Sequence, residues 1–215
     1  MGRQRVRIRF CKSGRLRYIG HQDLVVVLER LFRRAAVPLA MSQGFHPKPK
    51  ISSPSALALG IAGEDEVVDI EIREDAVVET SKLLDLLNRH SVDGLVFLQA
   101  ETLDTESKKA RLYSSLFVMV VPEDVRSKLS DGIRDLLAKE TVMIEKPNGK
   151  TVDVRAGIVS LELSEPDGIL SVELLANKSA QSGPEVGIKE LLTAVGLENS
   201  LFRTVFPIRK KVRLV

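Results

Sequence analysis

Four arginines near the start of the chain are the first residues whose type and spacing point to chemistry. Arginine occupies positions 3, 5, 7 and 9, and apolar residues occupy positions 6, 8 and 10. Because side chains alternate between the two faces of a strand, the pattern predicts a strand over residues 5–10 with all arginines on one face. Successive side chains on that face stand about 6.6 Å apart. This is close to the spacing of phosphates along an extended nucleic-acid strand, so we expect Arg5, Arg7 and Arg9 to bind phosphate.

The arginines also have a structural interpretation. Acids such as Asp69 and Glu71, on a neighbouring predicted strand, could pair with them and leave a neutral, solvated face. The arginine face lacks the aromatic residues on which RNA-recognition motifs stack bases. We therefore expect any RNA binding to depend on phosphate contacts and to weaken steeply with salt.

The most distinctive segment, residues 42–60, has no hydrophobic period, three prolines and no acid. Proline fixes φ and removes N–H donors, so the segment is expected to be stiff. A histidine within it can transfer a proton near neutral pH. The pattern predicts a rigid platform that faces an anion, and the alternative is a structural loop with Phe45 packed in the core. The predicted contact residues are Gln43, Phe45, His46, Lys48 and Lys50.

A second basic cluster, residues 12–23, leads into a helix predicted over residues 21–36. A glycine-containing turn that feeds a helix start can hold an anion on free N–H groups. We interpret His21 as a cap of this helix, with a role at the site as the alternative. The cluster contributes Lys12, Arg15 and Arg17 to the predicted anion-binding residues.

The charge distribution supports an anionic partner. Residues 1–60 contain 12 Lys and Arg against two acids, which gives +10, and the other 155 residues contain 20 bases against 27 acids, which gives −7. A strongly basic segment joined to an acidic remainder is typical of a chain that meets an anion at one end.

Several classes of protein are disfavoured. No Walker loop and no nucleophile elbow are present, and one Cys with three His gives no metal signature. No apolar run approaches the ~20 residues of a membrane span, and no secretory signal is visible. We therefore predict a cytoplasmic protein with no catalytic residue and no metal. His21 and His46 in a basic groove leave metal-free RNA cleavage as an alternative.

The order of predicted elements is strand, helix, two strands, helix, strand in each half of the chain. This order predicts an α+β fold of two tandem ferredoxin-like units with mainly antiparallel sheets. The units span residues 1–105 and 110–215, and the second has an extra hairpin. The predicted strands are 5–10, 38–41, 67–73, 95–100, 116–121, 142–145, 158–163, 170–175 and 202–214, and the predicted helices are 21–36, 80–90, 124–139 and 184–195.

Four strings together resemble the radical-SAM-linked protein family, a bacterial domain of unknown function fused to or encoded beside radical SAM proteins. They are Arg-Phe-Cys-Lys-Ser-Gly at 9–14, Arg-Tyr-Ile-Gly-His-Gln-Asp-Leu at 17–24, Ser-Gln-Gly-Phe-His-Pro-Lys-Pro-Lys-Ile at 42–51 and Ser-Ala-Leu-Ala-Leu-Gly at 55–60. The family pattern at the second string is roughly Tyr-Ile-Ser-His-Leu-Asp-Leu. Here Gly20 and Gln22 replace Ser and Leu.

The resemblance implies a partner rather than an activity. A radical SAM enzyme would act in trans, because this chain lacks the Cys-x-x-x-Cys-x-x-Cys motif. The 4Fe-4S cluster and S-adenosylmethionine would lie in that partner, with no cofactor in this chain. The tandem ferredoxin-like layout also resembles the CRISPR repeat-processing RNA endonucleases, in architecture only.

The sequence therefore predicts a non-catalytic accessory domain that presents an anionic substrate to a radical SAM enzyme. The predicted substrate is tRNA or another RNA, held on the basic face. The alternatives are a protein-docking module for the radical SAM partner and a metal-free RNA endonuclease.

Overall fold

A computed structural model describes residues 3–104, 107, 109–176, 185–197 and 205–215. The chain divides into two units, residues 1–111 and 112–215.

The first unit combines an antiparallel sheet with two long helices. Its elements in chain order are β1 (Arg5–Lys12), a 3-10 helix (Gly14–Tyr18), α1 (His21–Arg34), β2 (Ile51–Ser52), β3 (Ala62–Glu71), α2 (Thr80–Arg89) and β4 (Leu95–Leu103). β1 pairs with β3 on one side and with β4 on the other, and β2 pairs with β3. The strand order is therefore β4-β1-β3-β2, with every pair antiparallel.

The core of the first unit lies on the face of β1 that carries its apolar residues. Val6, Ile8 and Phe10 are buried there, as strict alternation along a half-buried strand requires. The apolar stripe of α1 packs into the same core through Leu24, Leu28, Leu31 and Phe32. The arginines at alternate positions of β1 therefore lie on the face of the sheet opposite this core.

The second unit is also a mixture of helices and antiparallel strands. Its elements are β5 (Leu112–Val120), α3 (Glu123–Leu137), β6 (Met143–Glu145), β7 (Thr151–Asp153), α4 (Val154–Gly157), β8 (Ile158–Ser164), β9 (Ile169–Leu175), α5 (Ile188–Ala194) and β10 (Ile208–Leu214). Four strands form a sheet in the order β10-β5-β9-β8, and β6 and β7 form a separate hairpin.

The structure confirms a mixed α/β fold with mostly antiparallel sheets. The predicted strand at 67–73 is wrong in its bounds, because β3 spans Ala62–Glu71. The strand extends into the acidic residues 64–66, which alternation alone did not assign to it. The predicted strand at 38–41 is reduced to two isolated bridges. The sequence prediction missed β2 and β7, which have two and three residues. Residue 184 of the predicted helix and residues 202–204 of the predicted last strand lie outside the described residues.

The basic residues of the last strand do not all lie on one face. In a regular strand, Arg209, Lys211 and Arg213 would share one side of β10. The pairing register with β5 shifts between Arg209 and Lys211, so Arg209 is buried whereas Lys211 and Arg213 are exposed.

In the described part of the chain, no helix is long and apolar enough to span a membrane.

Gly94 provides a test of the close packing before β4. Its φ is +82°, and a Cβ there would lie 2.5 Å from the carbonyl oxygen of Ser13. We expect Gly94→Ala to lower the free energy of unfolding by about 3 kcal/mol, since it combines a left-handed backbone with a backbone clash. Chemical denaturation measures this difference.

Gly14→Ala is the matched control, because Gly14 has a φ of +56° with nothing within 4 Å of the added Cβ. It should cost only about 1 kcal/mol. Equal losses in the two variants would contradict the close approach of Gly94 to Ser13.

Candidate functional site

The arginine stripe, formed by Arg3, Arg5, Arg7 and Arg9, lies opposite a row of carboxylates on β3. Register places Arg7 directly across from Asp69, and its Nε and Nη2 donate to the two carboxylate oxygens at 2.8 and 2.9 Å. Arg9 Nη1 donates to both oxygens of Asp65 at 2.7 Å.

The other two arginines of the stripe also lie close to carboxylates, so the positive charge of this face is largely neutralised. Arg3 Nε donates to Glu74 at 3.0 Å, and Arg5 Nη2 lies 3.8 Å from Asp69. The bidentate bond to Asp69 raises the pKa of Arg7 above its usual value, against an opposing effect of burial. The structural interpretation of the stripe therefore describes this face, and the expectation that Arg5, Arg7 and Arg9 stand open along a nucleic-acid strand is wrong.

The sheet face and the proline-rich segment converge at Glu71. Lys50 Nζ donates to Glu71 Oε2 at 2.7 Å, and Arg3 Nη1 lies 3.9 Å from the same oxygen. Beside this pair is a cleft of about 350 Å³. Of the predicted anion-binding residues, the cleft brings together Arg5 and Lys50.

Residues 41–49 form a projecting loop whose base is held by main-chain pairing. Met41 and Pro49 form an antiparallel bridge. Ser42 N donates to Lys48 O at 2.8 Å, and Lys48 N donates to the Ser42 hydroxyl at 2.9 Å. With two prolines fixing φ in the returning half, the loop is constrained at its base while its tip stands in solvent.

Phe45 stands at the tip of the projecting loop with its whole surface accessible, at 102% relative exposure. The preceding Gly44 has a φ of +131°, which favours glycine. Gln43, His46 and Lys48 are exposed beside it. The alternative in which Phe45 packs into the core is therefore wrong. Four of the five predicted contact residues, Gln43, Phe45, His46 and Lys48, form one exposed group, whereas Lys50 is half-buried.

The turn cluster is only partly available to a ligand. Lys12 is fully buried, and its Nζ donates to Ile19 O at 3.1 Å, so the prediction that it binds phosphate is wrong. Arg17 Nε donates to Gly60 O at 3.0 Å, which ties the turn to the end of the proline-rich segment. Arg15 is exposed. Tyr18, which the sequence analysis did not select, is 60% exposed beside it in the chain.

His21 is the first residue of α1 rather than its cap. Gly20 occupies the N-cap position, and its N–H donates to Asp23 Oδ2 at 3.3 Å. Asp23, rather than His21, therefore supplies the side-chain hydrogen bond at the start of this helix. Among the described residues, no hydrogen bond joins His21 to His46, and no cluster of three or more His, Cys, Asp or Glu could hold a metal ion.

The family model described as "Uncharacterized protein conserved in bacteria (DUF2344)" matches residues 5–186. The chain belongs to this family. The matched region includes β1, the projecting loop and the cleft. No curated protein matches the chain significantly. The family description names no radical SAM protein and no RNA, so both partners stay proposals.

The pair between Arg7 and Asp69 makes a stability prediction. Their side chains are 16% and 7% exposed, so Arg7→Leu leaves a nearly buried carboxylate without its bidentate partner. We expect a loss of about 2 kcal/mol in the free energy of unfolding. The double variant Arg7→Leu with Asp69→Leu should recover most of that loss, because both buried charges are gone. Urea denaturation of the single and double variants measures the coupling.

Arg73→Leu is the control, since the pair of Arg73 with Asp75 has side chains 57% and 72% exposed. Such a surface pair should contribute less than about 0.5 kcal/mol. A loss for Arg7→Leu no larger than for Arg73→Leu would contradict a structural role for the stripe.

Proposed function

We propose that this chain is a non-catalytic accessory domain that docks on a partner protein through the projecting loop. The observation that carries the proposal is the complete exposure of Phe45 at the tip of a loop with a fixed base. Burying a large apolar side chain is favourable by about 1.5–3 kcal/mol relative to leaving it in water. Phe45 does not have this stabilisation in the free chain. A pocket on a partner would supply that burial.

The loop has the properties of a preorganised anchor. Its base is held by the bridge between Met41 and Pro49 and by two hydrogen bonds between Ser42 and Lys48. Little conformational entropy is therefore lost when the tip binds. Aromatic residues that enter a partner's pocket dominate the energy of many protein interfaces. Lys48, exposed next to the tip, suits an acidic rim around such a pocket.

The resemblance in the sequence suggests the partner. A radical SAM protein, fused or encoded nearby, would carry the 4Fe-4S cluster and S-adenosylmethionine, and this chain would carry no cofactor. Both proteins would then act in the cytoplasm. We also propose the finer assignment of ferredoxin-like units. The order β4-β1-β3-β2 with all pairs antiparallel supports it for the first unit.

RNA presentation is the second candidate. It is favoured by the chemistry of residues 42–50, which contain no acid and expose a histidine and a lysine beside an aromatic ring. Arg15 and Tyr18 are exposed on the turn, and aromatic rings with arginine can stack on unpaired bases. It ranks second because phosphate-led binding depends on cations that are free to neutralise phosphates, and carboxylates of β3 already bind the stripe.

The metal-free RNA endonuclease stays a hypothesis with less support. General acid–base cleavage needs two groups within hydrogen-bond reach of the reacting atoms. His21 begins α1 and His46 stands on the projecting loop, and no described contact links them.

Phe45→Ala tests the docking proposal. The variant chain, co-expressed with the tagged radical SAM protein, should be captured at least about tenfold less than the wild type, since an anchor residue contributes about 2 kcal/mol or more. Its melting temperature should not change, because Phe45 makes no core contact. Pull-down and calorimetric titration measure the binding.

Val77→Ala is the matched control, because Val77 is 89% exposed on the same unit and lies outside the loop. It should bind like the wild type. Unchanged capture of Phe45→Ala would overturn docking through the loop. If Phe45→Ala is captured normally by the radical SAM protein but no longer binds tRNA at low salt, the result would favour RNA presentation instead.

A further inference from the structure

The cleft lies on the sheet face of the first unit, apart from the tip of the projecting loop. β2 forms one wall, and register places its Ile51 and Ser52 across from Ile70 and Asp69 of β3. Its volume of about 350 Å³ is at the lower end of the range for small-molecule sites, about 300–1,000 Å³. The charged residues that line it are Arg5, Lys50, Asp69, Glu71 and Lys109, and Ser52 adds a hydroxyl.

The two carboxylates in the wall are already bound by cations. Arg7 holds Asp69 with two hydrogen bonds, and Lys50 holds Glu71 at 2.7 Å. Arg5 is only 3.8 Å from Asp69 and donates from Nη1 to Ser107 O. Because a guanidinium has five N–H donors, Arg5 keeps donors that can face a ligand.

Two further side chains of the wall are available to a ligand. Ser52 and Lys109 are exposed, and neither side chain has a hydrogen bond or an ion pair among the described residues. The cleft therefore offers three kinds of donor: the guanidinium of Arg5, the ammonium of Lys109 and the hydroxyl of Ser52. This set matches the tetrahedral oxygens of a phosphate, which accept from several directions at once.

We propose that this cleft binds a small phosphate monoester of nucleotide size or less. Arg5, Lys109 and Ser52 would hold the phosphate. The charge balance limits the ligand, because three cations face two carboxylates among the described residues that line the cleft. The cations are Arg5, Lys50 and Lys109, and the carboxylates are Asp69 and Glu71. An excess of about one charge suits one phosphate better than a polyphosphate.

The chain can be tested by calorimetric titration at low ionic strength, with AMP as the probe and adenosine as the probe without phosphate. AMP should bind measurably and adenosine at least tenfold more weakly. Lys109→Gln and Ser52→Ala should each weaken AMP binding, Lys109→Gln by about tenfold, because it loses a charge-assisted bond. Amide NMR shifts on titration with AMP should cluster at residues 50–52 and 69–71.

Lys82→Gln is the matched control, because Lys82 is an exposed lysine of α2 in the same unit that does not line the cleft. It should leave AMP binding unchanged. No binding of AMP at millimolar concentration, equal binding of adenosine, or equal losses for Lys82→Gln and Lys109→Gln would each overturn the proposal. Phe45→Ala should bind AMP like the wild type, so failure of the docking proposal and failure of this one are distinguishable.

Discussion

The bidentate pair between Arg7 and Asp69 is the interaction on which the function of this face depends. β1 carries arginine at positions 5, 7 and 9, and a row of like charges on one face is unfavourable without counterions. β3 supplies the counterions at Asp69, directly across from Arg7, and at Asp65, which binds Arg9. The charges that looked like a ligand site in the sequence therefore hold two strands together. The groups that remain for binding lie outside this network of ion pairs or at its edge, in the projecting loop and in the cleft.

The projecting loop and the cleft are chemically different surfaces. The projecting loop has an apolar tip and few charges, which suits a pocket in another protein. The cleft has fixed cations around a small volume, which suits a small anion. Lys50 connects them, since it follows the loop and pairs with Glu71 in the wall of the cleft. A module that docks on an enzyme and holds a small phosphorylated molecule would use both surfaces without a catalytic group of its own.

Local pattern predicted much of the fold and less of the site. Alternation predicted β1, and the apolar stripe of Leu24, Leu28 and Leu31 predicted α1, because both periods follow from local geometry. The partner of each arginine depends on strand register, which a single sequence does not reveal. Burial of Lys12 and exposure of Phe45 went against residue type, because packing between distant segments decides both. The expectation of a stiff loop follows from local chemistry alone, since proline acts on its own backbone.

The central claim is that the chain recognises its partner with the projecting loop while the arginine stripe stays within the sheet. Hydroxyl-radical footprinting of the chain, alone and in complex with the radical SAM protein, tests this most directly because it reports side-chain accessibility residue by residue. The account predicts strong protection of Phe45 on complex formation and unchanged reactivity in residues 5–12. Protection of residues 5–12 with Phe45 as reactive as in the free chain would contradict it.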